Sequence, residues 1–183
     1  RTRSRERRMQ AAATAVAAVP LLILALAWLR FEGTGGFELV EAAEWIPTLG
    51  IGYRVGLDGL SLPLASMTAL VFVVATAYPV DLRGRPAPYF ALMLFLEGVS
   101  IGVFLALDLF LFFVFWGVSL VAMYFLIGAW GHGDAQRSAL KFFVYTFAGS
   151  LPLLLAILGL YLTTDPRTFD MAEIIAQQPL AGT

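Results

Sequence analysis

The chain has 183 residues and a formal net charge of -1, with 60% of its residues hydrophobic and 14% charged. Soluble domains are about 45–50% apolar and about 25% charged, so this composition excludes an ordinary soluble domain and indicates a membrane protein. Cysteine is absent, which excludes disulfides, thiolate metal sites and cysteine-ligated iron–sulfur clusters, and the one histidine, His132, cannot build a metal or haem site alone.

Residues 1–8, RTRSRERR, hold five arginines and precede an apolar run, Met9–Phe31. A run of this length crosses a bilayer core of about 30 Å as a helix, and flanking arginines keep its start cytoplasmic. A secretory signal peptide is the alternative, but the run exceeds the usual apolar length of one. The stretch from Glu32 to Arg54 carries Glu32, Glu38, Glu41 and Glu44 among several glycines and Pro47, and reads as an external loop with Trp45 and Tyr53 at the interface.

Further spans are expected over Gly56–Val80, Pro88–Leu107, Leu109–Trp130 and Ser138–Leu162, with Asp108 in a tight turn between the third and fourth. A short helix over Met171–Gln177 is too polar to cross. The expected inner side collects the N-terminal arginines with Arg83, Arg85 and Arg137; the outer side has Arg54 and Arg167. The fold class is therefore all-α, a polytopic membrane helical bundle of about five transmembrane helices in a single transmembrane domain over residues 1–183, N-terminus inside and C-terminus outside. The odd number of spans and the start at Arg1 read as part of a longer chain.

Glu97 stands in the middle of YFALMLFLEGVSIGVFLAL. A lone carboxylate there is costly unless it is protonated, paired or wet, so Glu97 is a candidate for proton transfer, against a purely structural neutral acid. Lys141 lies about one turn inside its helix, where its stem reaches the headgroups, and by position it is a topology anchor. His132, in a glycine-rich loop, is a further candidate for proton transfer, although a solvated loop histidine is the simpler reading. Asp58, between Gly56 and Gly59, fits a helix cap, and Asp108 a solvated turn residue. Ser100, Ser119, Thr146 and Ser150 place hydroxyls inside three spans, a pattern that suits a hydrated interior or interhelical bonding. No nucleotide-loop, nucleophile-elbow or HExxH motif is present in the sequence.

Four segments together, GLDGLSLPL (56–64), IGVFLALDLFLFFVFW (101–116), MYFLIGAWG (123–131) and ALKFFVYTFAGS (139–150), resemble the antiporter-like subunit M of bacterial NADH–quinone oxidoreductase, counterpart of subunit 4 in mitochondrial respiratory complex I. The resemblance spans about residues 50–163. It implies the N-terminal portion of a longer membrane-arm subunit in the bacterial inner membrane, contributing to proton translocation with no redox catalysis on this chain. NADH, flavin, iron–sulfur clusters and quinone are then expected on partner subunits, with no cofactor or metal here. The implied partners are the other membrane-arm subunits, the lipid bilayer and protons, and no nucleic acid.

Carried over residue by residue, the resemblance matches Lys141 to a lysine of the channel's lower half and Asp108 to the aspartate of the short turn. After FVFW the family has a glutamate essential to proton transfer; here that position is Gly117, and Ala122 stands where a proline usually follows. Glycine does not titrate. The implied alternatives are a non-pumping scaffold subunit, a relay rerouted through Glu97 into the same cavity, or a deliberate alteration of the site. A cation/proton antiporter or membrane-bound hydrogenase subunit is the remaining alternative.

Overall fold

The computed structural model describes residues 2–79, 82 and 84–178. Val80, the expected end of the second span, and Arg83 lie outside the described residues. Helix α1 covers Thr2–Arg30, strands β1 Glu38–Ile46 and β2 Ile51–Leu57 follow, and then come α2 Ser61–Ala77, α3 Pro86–Leu105, α4 Leu109–Trp130, α5 Ala135–Thr163 and α6 Met171–Gln177. The chain is a membrane helical bundle with a small antiparallel hairpin added at one end.

Helices α1, α3, α4 and α5 are long and apolar enough to cross a membrane, while α2 is a shorter apolar helix. At 17 residues α2 is about 25 Å long. The expected span from Gly56 is thus corrected at its start: Gly56 and Leu57 belong to β2, and Asp58 holds the turn before α2. At its other end α2 stops at Ala77 because Tyr78 precedes Pro79 and is extended, with φ -69 and ψ 133. The third helix likewise ends at Leu105 rather than Leu107, since residues 106–108 are extended and pair with neighbouring segments.

In the bundle α1 packs on α2 and α3, α3 on α4, and α4 on α5. Leu24, Leu57, Leu62, Ala65, Ala69 and Ile101 make one buried cluster, and Leu96, Ala122 and Leu126 another. Close approach of α3 and α4 depends on Gly102, where a Cβ would lie 2.9 Å from the Phe115 ring. Outward faces carry exposed Leu22, Ile23, Val74 and Leu155, as helices surrounded by hydrocarbon do.

The ends of the helices gather in two layers. In one, Gln10 donates to the carbonyls of Thr76, Ala77 and Tyr78, and Trp130 Nε1 donates to Leu82 O at 3.3 Å. In the other, the hairpin meets the α3–α4 turn and the segment after α5: Leu107 N–H donates to Arg54 O, Leu109 N–H to Phe169 O and Met171 N–H to Leu107 O, each at 2.9 Å. The stretch read as an external loop is therefore largely a hairpin, and the tight turn at Asp108 is the point to which that hairpin is fastened.

Candidate functional site

The structure separates the three residues singled out for proton transfer. Glu97 is 2% exposed, and its Oε1 has no hydrogen-bond partner among the described residues. Its direction follows from its neighbours on α3. Ile101 and Phe104, four and seven residues on and so on the same face, pack into the cluster formed by α1, β2 and α2. Leu96, by contrast, packs on Ala122 and Leu126 of α4. Glu97 therefore lies on the side of α3 toward α1 and α2.

Gly117 lies elsewhere. Phe115, Ala122 and Leu126 face α3, whereas Tyr124 packs edge-on against Phe143 of α5 at 5.7 Å and Gly128 approaches Ala139. Gly117 precedes Tyr124 by seven residues and Gly128 by eleven, which puts it on the stripe toward α5. Ser150, buried on α5 and donating to Phe147 O at 2.8 Å, belongs to the matching stripe with Ala139 and Phe143. A Cβ at 117 would meet nothing within 4 Å. Glu97 and Gly117 thus point to opposite sides of the α3–α4 pair, and the expectation that they face one cavity is corrected by the helical repeat.

Lys141 is exposed in the second turn of α5, two residues after Ala139, and so faces away from α4. His132 is exposed in the loop between α4 and α5. Neither stands beside Glu97, because α4 separates α3 from α5. Among the described residues no group of three or more metal-ligating side chains comes together.

Both aspartates accept backbone N–H bonds at helix starts. Asp58 Oδ1 accepts from Leu60 N–H at 3.0 Å and Ser61 N–H at 2.6 Å, while Ser61 Oγ accepts from Asp58 N–H at 2.8 Å. These bonds, the Ser61 N–H foremost, hold the Asp58 carboxyl below the ordinary carboxylate range. A depressed pKa in the folded state stabilises above the unfolded value, about 3.9, and that contribution disappears as pH falls through the folded value. Asp58→Ala is accordingly expected to cost about 0.5–2 kcal/mol at neutral pH. Thermal unfolding of both proteins should show the gap closing below about pH 4, and a gap that widens there refutes the assignment.

Asp108 is fully buried: Oδ1 accepts from Phe110 N–H at 2.9 Å and Leu111 N–H at 3.0 Å, and Oδ2 from Gly52 N–H at 3.0 Å. Beside it Arg54 pairs with Asp170, which also caps α6 through Ala172 and Glu173 N–H. Sequence reading missed Arg54 and Asp170 as a pair. They lie 116 residues apart, and no local pattern links them.

Comparison with known proteins agrees with the fold and the motifs. The family described as NADH:quinone oxidoreductase/Mrp antiporter transmembrane matches residues 106–181. The F(420)H(2) dehydrogenase subunit M of Methanosarcina mazei is 38% identical over 158 residues, which are 82% of this chain and 32% of that protein. The NAD(P)H-quinone oxidoreductase chain 4-2 of a Synechocystis species is 37% identical over 156 residues, 84% of this chain and 28% of its own length. The chain thus spans about a third or less of these curated relatives. Among solved structures, a chain of respiratory complex I from Thermus thermophilus superposes with a TM-score of 0.71 at 26% identity, covering 92% of this chain and 38% of that one. A chain of the Mrp complex from a Dietzia species gives 0.81 at 25% identity, covering 95% of this chain and 19% of that one. On these likenesses and on its own helix order, the chain belongs to the NADH:quinone oxidoreductase/Mrp antiporter transmembrane family, as part of an antiporter-like membrane subunit.

Proposed function

We propose that this chain forms part of a membrane-arm subunit of a proton-pumping NADH–quinone oxidoreductase, and that Glu97 takes up and releases protons within it. The observation that carries the reading is a carboxyl group 2% exposed in the middle of a membrane helix, with Oε1 unpartnered among the described residues. A buried acid with no fixed partner is free to change protonation when charge moves nearby, and intramembrane ionisable residues mark proton pathways. NADH, flavin, iron–sulfur clusters and quinone belong to partner subunits in this reading, so the chain performs no redox step. The other membrane-arm subunits and the lipid are its partners. The arginines at the start of α1, with Arg85 and Arg137, favour a cytoplasmic N-terminus in a bacterial inner membrane. Lys141 and His132, exposed toward the same end of the bundle as Arg85 and Arg137, are assigned to proton entry from that side.

A second reading, a non-pumping scaffold of the same complex, is favoured by Gly117, which cannot titrate. The Mrp likeness favours a third, a subunit of a multi-subunit cation/proton antiporter. Reconstitution of the whole complex in liposomes separates the first two. Glu97→Gln is expected to lower protons moved per electron while electron transfer and assembly persist. Unchanged stoichiometry in that variant refutes the role of Glu97 and leaves the scaffold.

A further inference from the structure

A cleft of about 650 Å³ opens between α4 and α5 where they meet the segment before α3. Its rim is polar and basic, formed by Arg85, just before α3, and by Gln136 and Arg137 in the first turn of α5. About a turn deeper its walls are apolar, with Phe125 and Leu140 each more than half exposed. Small residues make its floor: Gly128 and Ala139 let the two helices approach, a Cβ at 128 lying 3.6 Å from that of Ala139. No carboxylate lines the cleft, and among the described residues neither guanidinium enters an ion pair. The pair that does form, Arg54 with Asp170, is at the opposite end of the bundle.

Two uncompensated guanidiniums at the membrane boundary, above an exposed apolar groove, match one occupant in both of its halves. Phosphate oxygens accept paired N–H bonds from arginine, and acyl chains cover an apolar wall. A soluble anion would neutralise the rim and leave Phe125 and Leu140 bare. An apolar helix would cover those two and leave the arginines unpaired. We propose that this cleft holds one anionic phospholipid from the leaflet at that end, its phosphate between Arg85 and Arg137 and an acyl chain along Phe125 and Leu140. The volume falls within the range of about 300–1,000 Å³ found for small-molecule clefts, room for a headgroup whose chains run out along the helices. Basic pockets between transmembrane helices recognise anionic headgroups in this way, and two cationic side chains near the surface favour them by on the order of thirtyfold together. The site requires that the chain lie in a bilayer and is independent of the role given to Glu97.

The test uses the complete complex in liposomes with two photoactivatable lipids that carry the same diazirine acyl chain, one a phosphatidylglycerol and the other a phosphatidylcholine. Mass spectrometry of the peptides reads where each attaches. Residues 124–140 are expected to take up the phosphatidylglycerol at least about tenfold more than the phosphatidylcholine, while the other lipid-facing segments of the complex take up both alike. Arg85→Gln combined with Arg137→Gln is expected to bring the two probes level. Arg85→Lys combined with Arg137→Lys is expected to keep part of the preference, since lysine retains the charge but not the fork. Equal labelling in the parent complex overturns the proposal, because the groove is then blind to headgroup charge. Labelling by neither probe also overturns it, since another protein segment then covers the cleft. If inorganic phosphate abolishes the phosphatidylglycerol label while chloride at matched ionic strength does not, the arginines serve a soluble anion and the lipid is refuted. Should the glutamine variant fail to assemble, the contrast between probes in the parent complex decides alone. Proton pumping is not read here, so a failure of the lipid site and a failure of the Glu97 reading stay distinguishable.

Discussion

Asp108→Ala is expected to destabilise the chain by roughly 2–4 kcal/mol and to reduce assembly of the full-length subunit. The wild-type carboxylate accepts three backbone N–H bonds, from Phe110, Leu111 and Gly52, at a position with no exposure. Removing it takes the cap from α4, worth about 0.5–2 kcal/mol, and strands buried donors at about 1–3 kcal/mol. The loss spreads because the same turn carries the bonds of Leu107 to Arg54 and to Met171, and of Leu109 to Phe169. Hairpin, helix start and the segment leading to α6 are therefore expected to loosen together. Asp108→Asn keeps one carbonyl oxygen for the cap but turns an amide toward Gly52 N–H, so about half the loss is expected. Thermal unfolding of the purified subunit in detergent measures both. An alanine variant with an unchanged midpoint would show that the turn holds without the carboxylate.

How much of this was legible in the letters depended on how local its cause is. Helix α4 was readable at both ends because Asp108 caps it and Gly131 follows it, and α6 because Asp170 precedes about two amphipathic turns. The hairpin was not readable. Strand β1 is exposed along nearly its whole length, so it lacks the alternation of apolar and polar residues that marks a half-buried strand. Its register also shifts between Glu38 and Glu41 and again before Ile46, which breaks the period that remains. Glu97 announced itself as a charge in an apolar run, but its side of α3 is set by which neighbours Ile101 and Leu96 find. That information is tertiary, and so is the meeting of Arg85 with Arg137 at one cleft.

The opposed directions of Glu97 and Gly117 give a second prediction of large effect: Gly117→Glu is expected to assemble, yet not to restore proton translocation to a Glu97→Gln subunit. Space is not the obstacle, since a Cβ at 117 meets nothing within 4 Å. Glutamate also improves helix propensity by roughly 0.5 kcal/mol over glycine, which offsets a small part of the about 2.5–3.5 kcal/mol cost of a carboxyl at a helix centre. Direction is the obstacle. With helix axes 8–10 Å apart, the outer faces of the α3–α4 pair are on the order of 15 Å from each other, several hydrogen bonds too far for one carboxyl to replace another. A glutamate at 117 meets the α5 stripe of Ser150, whereas Glu97 serves the side of α1 and α2. Protons moved per electron should therefore stay low in the double variant and be set by position 97 whichever residue occupies 117. Recovery to the parent value would mean that both carboxyls open on one continuous cavity, and that the relay is defined by depth in the membrane rather than by the helix face that carries it.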